Sequence, residues 1–220
     1  MIVFVVGSGK LAEEILSALH GNHIKGVRRW RDISSCLQDD VVVVHAGSGR
    51  ELDAVHAYCS RNRKPMIDLA TSTNYGSFDP SFPVIVCPNT NVLMLKFMAM
   101  VMRAGEGFKQ YERTLLESHQ STKTSEAGTA RCLARSLGIG IDKIESIRDP
   151  AVQENTLGIP AGHLGRHALH RIQIKDDSAS ITLESKVLGP APYAVGLSEI
   201  LRIVMAKKLE ARVYDVLEFF

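Results

Sequence analysis

The chain lacks the features that mark several classes of protein. No apolar run approaches the ~20 residues that a membrane-spanning helix needs. The N-terminal residues show neither a charged leader nor a cleavage site, so we expect a cytoplasmic protein without a signal peptide. A formal net charge of +2 and the absence of a basic tail argue against a nucleic-acid partner.

Cysteine pairs and metal-ligand clusters are also missing. The four cysteines are scattered without C-x-x-C spacing, which favours free thiols in a reducing compartment. His163, His167 and His170 are close in sequence, but no carboxylate or cysteine stands beside them at a suitable spacing. In a strand, His167 and His170 would face opposite sides. We therefore predict no metal site.

Apolar runs alternate with helical patterns in the first part of the chain. This alternation is typical of βαβ units and a parallel sheet. We therefore predict an α/β domain with a Rossmann-type, doubly wound parallel sheet, to which an amphipathic helix at 194–207 returns. The predicted strands are 2–6, 24–27, 41–44, 65–69 and 84–87, and the predicted helices are 10–20 and 50–61.

The pattern changes after Val92. We predict a second α+β domain with a mixed, largely open sheet over residues 92–192, and a first domain formed by 1–91 and 193–220. Residues 175–178 form a good hairpin turn between two strands of alternating character. The other predicted elements are helices at 93–103 and 127–137 and strands at 114–118, 143–147, 167–174 and 179–186.

A G-x-G-x-x-A motif follows the first predicted strand and opens the first predicted helix. The first glycine permits a tight turn, the second lets the backbone approach a pyrophosphate, and Ala12 lets helix and strand pack closely. A P-loop is excluded because Leu11 follows Lys10 where serine or threonine is required. The alternative is a simple glycine turn. The predicted cofactor-binding residues here are Gly7, Ser8, Gly9, Lys10 and Leu11.

Two arginines end the second predicted strand. An acidic residue at this place binds a ribose 2′-hydroxyl, whereas arginine suits a 2′-phosphate. Arg28 and Arg29 therefore predict a preference for NADPH, with NADH still possible. The alternative is a solvated basic turn.

Residues 117–130 bring a histidine, a lysine and a Gly-Thr pair into one short loop. Histidine titrates near neutral pH, so His119 can give a proton to a substrate. Lys123 and the N–H groups at a helix start near Gly128 and Thr129 can hold an anion. The alternative is a polar loop in which His119 only packs or caps.

This loop resembles the E-x-H-H-x-x-K-x-D-A-P-S-G-T-A motif of the dihydrodipicolinate reductases. The resemblance implies that His119 is the proton donor, that Lys123 is catalytic and that Gly128 and Thr129 bind a substrate carboxylate. The family's second histidine is Gln120 here, which we retain as a substrate-binding residue. The loop is one residue shorter and carries Glu126, which adds a negative charge.

The resemblance extends over nearly the whole chain. Residues 40–44 look like the family's third strand, with its D-F-T ending replaced by 45–47, and 193–196 and 213–217 look like its closing elements. Arg148 lies at the family's S-x-R strand end. Segments 70–73 and 87–90 are similar to its G-T-T-G and A/S-P-N-F/M-S segments. The cofactor contacts implied are Ala46, Ala70, Thr71, Ser72, Pro88 and Asn89.

The family resemblance implies reduction of dihydrodipicolinate, which forms from 4-hydroxy-tetrahydrodipicolinate, to tetrahydrodipicolinate in diaminopimelate and lysine biosynthesis. It also implies a dicarboxylate substrate and a homotetramer. Because of Gln120 and Glu126, a related reductase acting on another cyclic imine or unsaturated acid stays open. A non-catalytic dinucleotide-binding sensor stays open as well, although a sensor has no need of a proton donor.

Overall fold

The computed structural model describes residues 1–35, 40–70, 73–123, 127–189 and 193–220, without the side chains of Ser34 and Ser35. The chain divides into two compact units. The first comprises Met1–Leu95 and Pro192–Phe220, and the second comprises Lys96–Ala191. None of the helices in these ranges is both long and apolar enough to cross a membrane.

The regular elements follow the order that the sequence predicts, with short additions. The helices are α1 (Lys10–Ala18), α2 (Leu52–Asn62), α3 (Val92–Ala104), α4 (Gly128–Leu137), α5 (Pro150–Asn155) and α6 (Tyr193–Met205). The strands are β1 (Ile2–Val6), β2 (Gly26–Arg29), β3 (Val41–His45), β4 (Met66–Asp68), β5 (Val84–Val86), β6 (Glu112–His119), β7 (Glu145–Ile147), β8 (His167–Lys175), β9 (Ser180–Leu188) and β10 (Val213–Asp215).

The first unit is built on a parallel sheet of order β10-β5-β4-β3-β1-β2. Strands β1 and β3 are buried along their whole length, which explains why both read as continuous apolar runs. The chain passes from β1 to β2 on one side and then returns to pair β3 on the other side of β1. The predicted doubly wound α/β fold is confirmed, and its topological switch point lies between β1 and β3.

Helix α6 belongs to the first unit, where its apolar face is buried. Gly196 on this helix approaches the backbone so closely that an added Cβ would lie only 1.8 Å from the carbonyl oxygen of Thr90. A residue without a side chain is therefore required at this contact.

The second unit contains a sheet of order β7-β6-β8-β9, in which β6 and β7 are parallel and the other pairs antiparallel. The predicted mixed sheet and hairpin are confirmed. Asp176 stabilises the hairpin turn, because its Oδ1 accepts hydrogen bonds from the N–H groups of Ser178 and Ala179. Helix α5, capped by Asp149, was not predicted because it is only six residues long.

Candidate cofactor and proton-donor sites

An open cavity of about 390 Å³ lies at the switch point of the first unit. Ligands of open α/β sheets bind at the carboxyl ends of the strands at this place. Its walls come from the segments that follow β1 and β3. The lining residues are Gly7, Ser8, Gly9, His45, Ala46, Gly47, Ser48, Gly49, Arg50 and Glu51.

The two glycines after β1 differ in backbone conformation and in surroundings. Gly7 has a φ of +120°, and an added Cβ would lie 2.9 Å from the carbonyl oxygen of Ala46. Gly9 faces open space, and α1 begins at the next residue without a side-chain cap. Ala12 is fully buried. The turn therefore leaves helix N–H groups accessible to an anion.

Only some of the other predicted cofactor-binding residues line this cavity. Ser8 and Lys10 are exposed at the turn, and Leu11 is half-buried. Ala46 lines the cavity, and Ala70 follows β4 and donates its N–H to Asp68. Thr71 and Ser72 lie outside the described residues, as does Glu126. Pro88 is exposed and Asn89 half-buried after β5, at the same edge of the sheet. Arg50 also lines the cavity and brings a positive charge to it, and sequence reasoning missed this residue.

The two arginines at the end of β2 differ in their surroundings. Arg29 forms a two-pronged ion pair with Glu13 of α1, at 2.9 and 2.7 Å. The hydrogen bond from Arg29 lowers the pKa of Glu13, although both groups are exposed to solvent. Arg28 is also exposed. A 2′-phosphate would therefore compete with Glu13 for Arg29 but not, among the ion pairs seen, for Arg28.

A buried histidine–carboxylate pair lies beside the cavity. His45 and Asp68 are register neighbours at the ends of β3 and β4, and both are fully buried. His45 Nδ1 lies 2.7 Å from Oδ1 of Asp68. Sequence reasoning missed this pair, because the only available signal was that both positions end a strand.

In the second unit, His119 is held by a carboxylate on its own strand. Its Nδ1 lies 2.6 Å from Oε2 of Glu117, two residues earlier and therefore on the same face of β6. Arg148 binds both oxygens of Glu117, at 2.6 and 3.2 Å. Burial opposes ionisation of Glu117, but the bonds from His119 and Arg148 outweigh it and lower the pKa to about 2.

This arrangement fixes one proton of the imidazole ring. An ionised carboxylate can only accept hydrogen bonds, so His119 Nδ1 must carry a hydrogen and donate it to Glu117. Nε2 is then the atom that can gain and give a proton. The side chain of His119 is 14% exposed, whereas that of Glu117 is 1% exposed. The pair can therefore work as a proton donor held by a buried carboxylate.

Two further histidines of the neighbouring strand β8, His170 and His167, lie on opposite faces of the sheet, as the strand spacing predicted. The ring of His170 lies edge-on to that of His119, with centroids 5.7 Å apart. Burial and the proximity of His119 lower the pKa of His170 to about 4, so its ring is neutral at pH 7. His167 instead lies 3.0 Å from Ser118 Oγ. His119 is therefore the histidine of this group that is best placed for proton transfer.

Gln153 of α5 braces the end of β6. Its side-chain amide donates to the carbonyl oxygens of His119 at 2.7 Å and of Ile147 at 3.1 Å, and the residue is fully buried. Sequence reasoning missed Gln153 because it depended on the short helix that was not predicted. This contact fixes the backbone of the proposed proton donor.

The remaining residues of the predicted loop follow β6. The N–H of Lys123 bonds to the carbonyl oxygen of Gln120 at 2.9 Å, which closes a turn. Gly128 and Thr129 form the first turn of α4, which has no side-chain cap. The N–H groups of that turn can therefore bind an anion. Residues 124–126 lie outside the described part of the chain.

No protein-family model matches the sequence. Curated relatives nevertheless share 26–29% identity with it. The 4-hydroxy-tetrahydrodipicolinate reductase 1, chloroplastic, of Arabidopsis thaliana is 28% identical over 149 residues, covering 61% of this chain and 43% of that protein. The probable 4-hydroxy-tetrahydrodipicolinate reductase 1, chloroplastic, of Oryza sativa subsp. japonica is 26% identical over 155 residues, covering 64% and 45%.

A solved structure extends the likeness to the whole fold. The dipicolinate-bound dihydrodipicolinate reductase from Paenisporosarcina sp. TG-14 has a TM-score of 0.72, with 98% of this chain and 97% of that chain covered at 14% identity. The chain is thus similar to the dihydrodipicolinate reductases in sequence and in fold. The resemblance predicted from the sequence and the predicted fold are thereby confirmed. The matched regions span less than half of the length of the curated plant reductases.

Proposed function

We propose that the protein is an NADPH-dependent oxidoreductase that reduces dihydrodipicolinate to tetrahydrodipicolinate, in diaminopimelate and lysine biosynthesis. The observation that carries this proposal is the bond between His119 and the ionised Glu117, on the strand that leads into the loop with Lys123. The similarity to 4-hydroxy-tetrahydrodipicolinate reductases supports the choice of reaction.

The cavity of the first unit suits a dinucleotide. The Gly7 turn and the uncapped start of α1 would hold the pyrophosphate, and Arg28 would contact a 2′-phosphate. When bound, NADPH supplies the hydride. The residues present therefore fit the group, with NADH as a weaker alternative because it lacks the phosphate that Arg28 would bind.

Reduction of a conjugated cyclic imine adds one hydride and one proton to the substrate. His119 would hold that proton on Nε2, because Nδ1 is committed to Glu117. The negative charge of Glu117 stabilises the protonated ring until transfer, and Arg148 keeps that carboxylate ionised. The chain thus provides the proton from the His119 side chain, whose orientation is fixed by its hydrogen bond to Glu117.

The substrate of this reaction carries two carboxylates. Lys123 and the first turn of α4, with Thr129, would bind them. Gln120 can hydrogen-bond a carboxylate, but it cannot carry the positive charge of a histidine. We expect no nucleic-acid or membrane partner and a cytoplasmic location.

A homo-oligomer is also part of the proposal. Strand β9 is nine residues long and, in the described sheet, pairs on one side only. Ile181 and Leu188 on it are exposed. An exposed edge of this length is commonly covered by another chain. We propose a homotetramer built through this sheet, which light scattering after size-exclusion chromatography would test by its mass.

The experiment that tests the proposed reaction follows NADPH absorbance in the presence of freshly generated dihydrodipicolinate. We expect turnover by the wild-type protein and a loss of about 100-fold in kcat for His119→Ala and Lys123→Ala. The exposed His20 provides a matched control, and His20→Ala should keep wild-type turnover. Near wild-type turnover in both loop variants would contradict the assignment.

A related reductase acting on another cyclic imine or unsaturated acid is the second candidate. Gln120 favours it, because the motif that this loop resembles has at that place a histidine, which can carry a positive charge, whereas glutamine cannot. A panel of cyclic imines and unsaturated dicarboxylates assayed with NADPH separates the two candidates by their kcat/KM values. NADPH binding without turnover of any member would point instead to a dinucleotide-binding sensor.

A further inference from the structure

The hydrogen bond between His45 and Asp68 links β3 to β4 but uses only one of the two ring nitrogens of His45. Asp68 accepts hydrogen bonds from His45 Nδ1 at 2.7 Å, the N–H of Ala70 at 2.9 Å and the hydroxyl of Tyr75 at 2.8 Å. Burial raises its pKa, but these bonds and one from Thr73 together lower it below the usual value. Asp68 is therefore an ionised carboxylate that only accepts hydrogen bonds.

The proton on Nδ1 of His45 is consequently fixed. Nε2, on the far side of the ring, is an acceptor when the ring is neutral and a donor when the ring is charged. This atom is buried and has no hydrogen-bond partner among the described residues. Unpaired buried polar atoms cost free energy and are rare in folded proteins, so a missing partner calls for an explanation.

The surroundings of Nε2 indicate where that partner comes from. His45 lines the cavity at the switch point, and so does Gly47. A Cβ added to Gly47 would lie 3.2 Å from His45 Nε2, so the absence of a side chain at position 47 leaves this atom covered by backbone alone on that side. A ligand in the cavity can therefore reach the ring edge with a modest adjustment of the glycine segment.

The sheet order indicates which part of a dinucleotide would do so. A dinucleotide straddles the switch point, with its adenosine half towards the strand that follows β1. Arg28 ends that strand, β2, whereas His45 and Asp68 end β3 and β4 on the opposite side of β1. The nicotinamide riboside half would therefore lie on the side of His45.

We infer that His45, held by Asp68, is a cofactor-binding residue whose Nε2 exchanges a hydrogen bond with the nicotinamide riboside half of the dinucleotide. A ribose hydroxyl can satisfy Nε2 in either protonation state, because it is both a donor and an acceptor. This inference rests on the proposed use of NADPH. It adds a residue that the family resemblance does not supply.

The test uses His45→Asn, whose side-chain amide can still donate to Asp68 at the place of Nδ1 but has no atom at the place of Nε2. Calorimetric titration would measure the Kd of NADPH and of adenosine 2′,5′-bisphosphate, which lacks the nicotinamide half. We expect NADPH to bind about tenfold more weakly to the variant, while the Kd of the bisphosphate is unchanged.

Two results would overturn the inference. One is an unchanged Kd for NADPH in a folded variant, and the other is an equal weakening of both ligands, which would indicate a distorted cavity. His45→Gln is the second variant, because its amide reaches the place of Nε2, and it should bind NADPH more tightly than His45→Asn. Failure of the wild-type protein to bind NADPH would refute the proposed function itself, which is a separate outcome.

Discussion

The imidazole of His119 is tied at 2.6 Å to the carboxylate of Glu117, two residues earlier on the same strand. Glu117 is almost fully buried and is also bound by Arg148. Proton transfer would thus depend on a charge that lies beneath the proton donor and out of contact with solvent.

Replacement of this carboxylate by a neutral amide tests that dependence. We expect Glu117→Gln to lower kcat by about 10- to 100-fold, because the protonated form of His119 loses its stabilising charge. The Kd of NADPH should not change, since Glu117 lies outside the proposed cofactor cavity. Glu145 on β7 is exposed, so Glu145→Gln is the matched control. Equal kcat values for the two variants would contradict the role of Glu117.

The buried imidazole of His170 should make the free energy of unfolding depend on pH. Its pKa of about 4 in the folded protein is below the value of 6.5 expected after unfolding, so the unfolded chain binds its proton first. The free energy of unfolding should therefore fall by on the order of 3 kcal/mol as the pH decreases from 6.5 to 4. Urea unfolding at several pH values measures this slope.

A variant isolates the contribution of His170 from those of other groups. His170→Phe removes the titrating ring. Between pH 6.5 and 4, the slope of its free energy of unfolding against pH should be smaller by the amount that corresponds to about one bound proton. Exposed His20 serves as the control, because His20→Phe should keep the wild-type slope. Glu117, with a pKa of about 2, stabilises the fold above pH 4.5 and adds a second loss only below that pH.

The two glycines of the β1 turn should respond differently to alanine. Gly7→Ala introduces a strained φ and a contact at 2.9 Å with Ala46, so it should lower both thermal stability and NADPH affinity. Gly9→Ala meets no neighbouring atom and should keep the melting temperature while weakening NADPH binding. Thermal unfolding and calorimetry measure the two effects. Unchanged NADPH affinity in Gly9→Ala would place the pyrophosphate elsewhere.

The packing of α6 against the segment before α3 depends on Gly196. We expect Gly196→Ala to lower the free energy of unfolding by about 1–3 kcal/mol or more, because the new Cβ would lie 1.8 Å from the Thr90 carbonyl. Gly26→Ala is the control, since a Cβ there meets nothing within 4 Å. Equal urea midpoints for these two variants would show that the helix shifts without cost.

Cofactor preference should follow Arg28 more than Arg29. Arg28→Ala should reduce the ratio of kcat/KM for NADPH to that for NADH, because the 2′-phosphate loses a charged partner. Arg29→Ala should have a smaller effect, since Glu13 already binds Arg29. Equal efficiencies with both cofactors, unaltered by either substitution, would refute the preference for NADPH.

Elements with a local signal were predictable from the sequence. The buried strand β3 is a run of valines, and the β8–β9 hairpin has polar residues between alternating segments. Strand β10 has only three residues and lacks such a signal, so it was noticed as part of a family motif and not as a strand. Short strands are stabilised by pairing with a neighbouring strand, and the local sequence pattern carries no information about that neighbour.

The candidate sites show the same division. His119 was predicted because its loop is contiguous in sequence. Arg148 lies 31 positions from its partner Glu117, and Asp68 lies 23 positions from His45. These pairs exist because β6 lies beside β7 and β3 beside β4. Strand register fixes such contacts, and periodicity alone does not report it.

The pairing of β10 with β5 also bears on the order in which the chain acquires its structure during synthesis. Val213 pairs with Val84, and the whole second unit is translated between them. On the ribosome, Lys96–Ala191 emerges before the strand that covers β5, so the unit that begins first is completed last. A nascent chain arrested within this interval would expose an open sheet edge to neighbouring polypeptides.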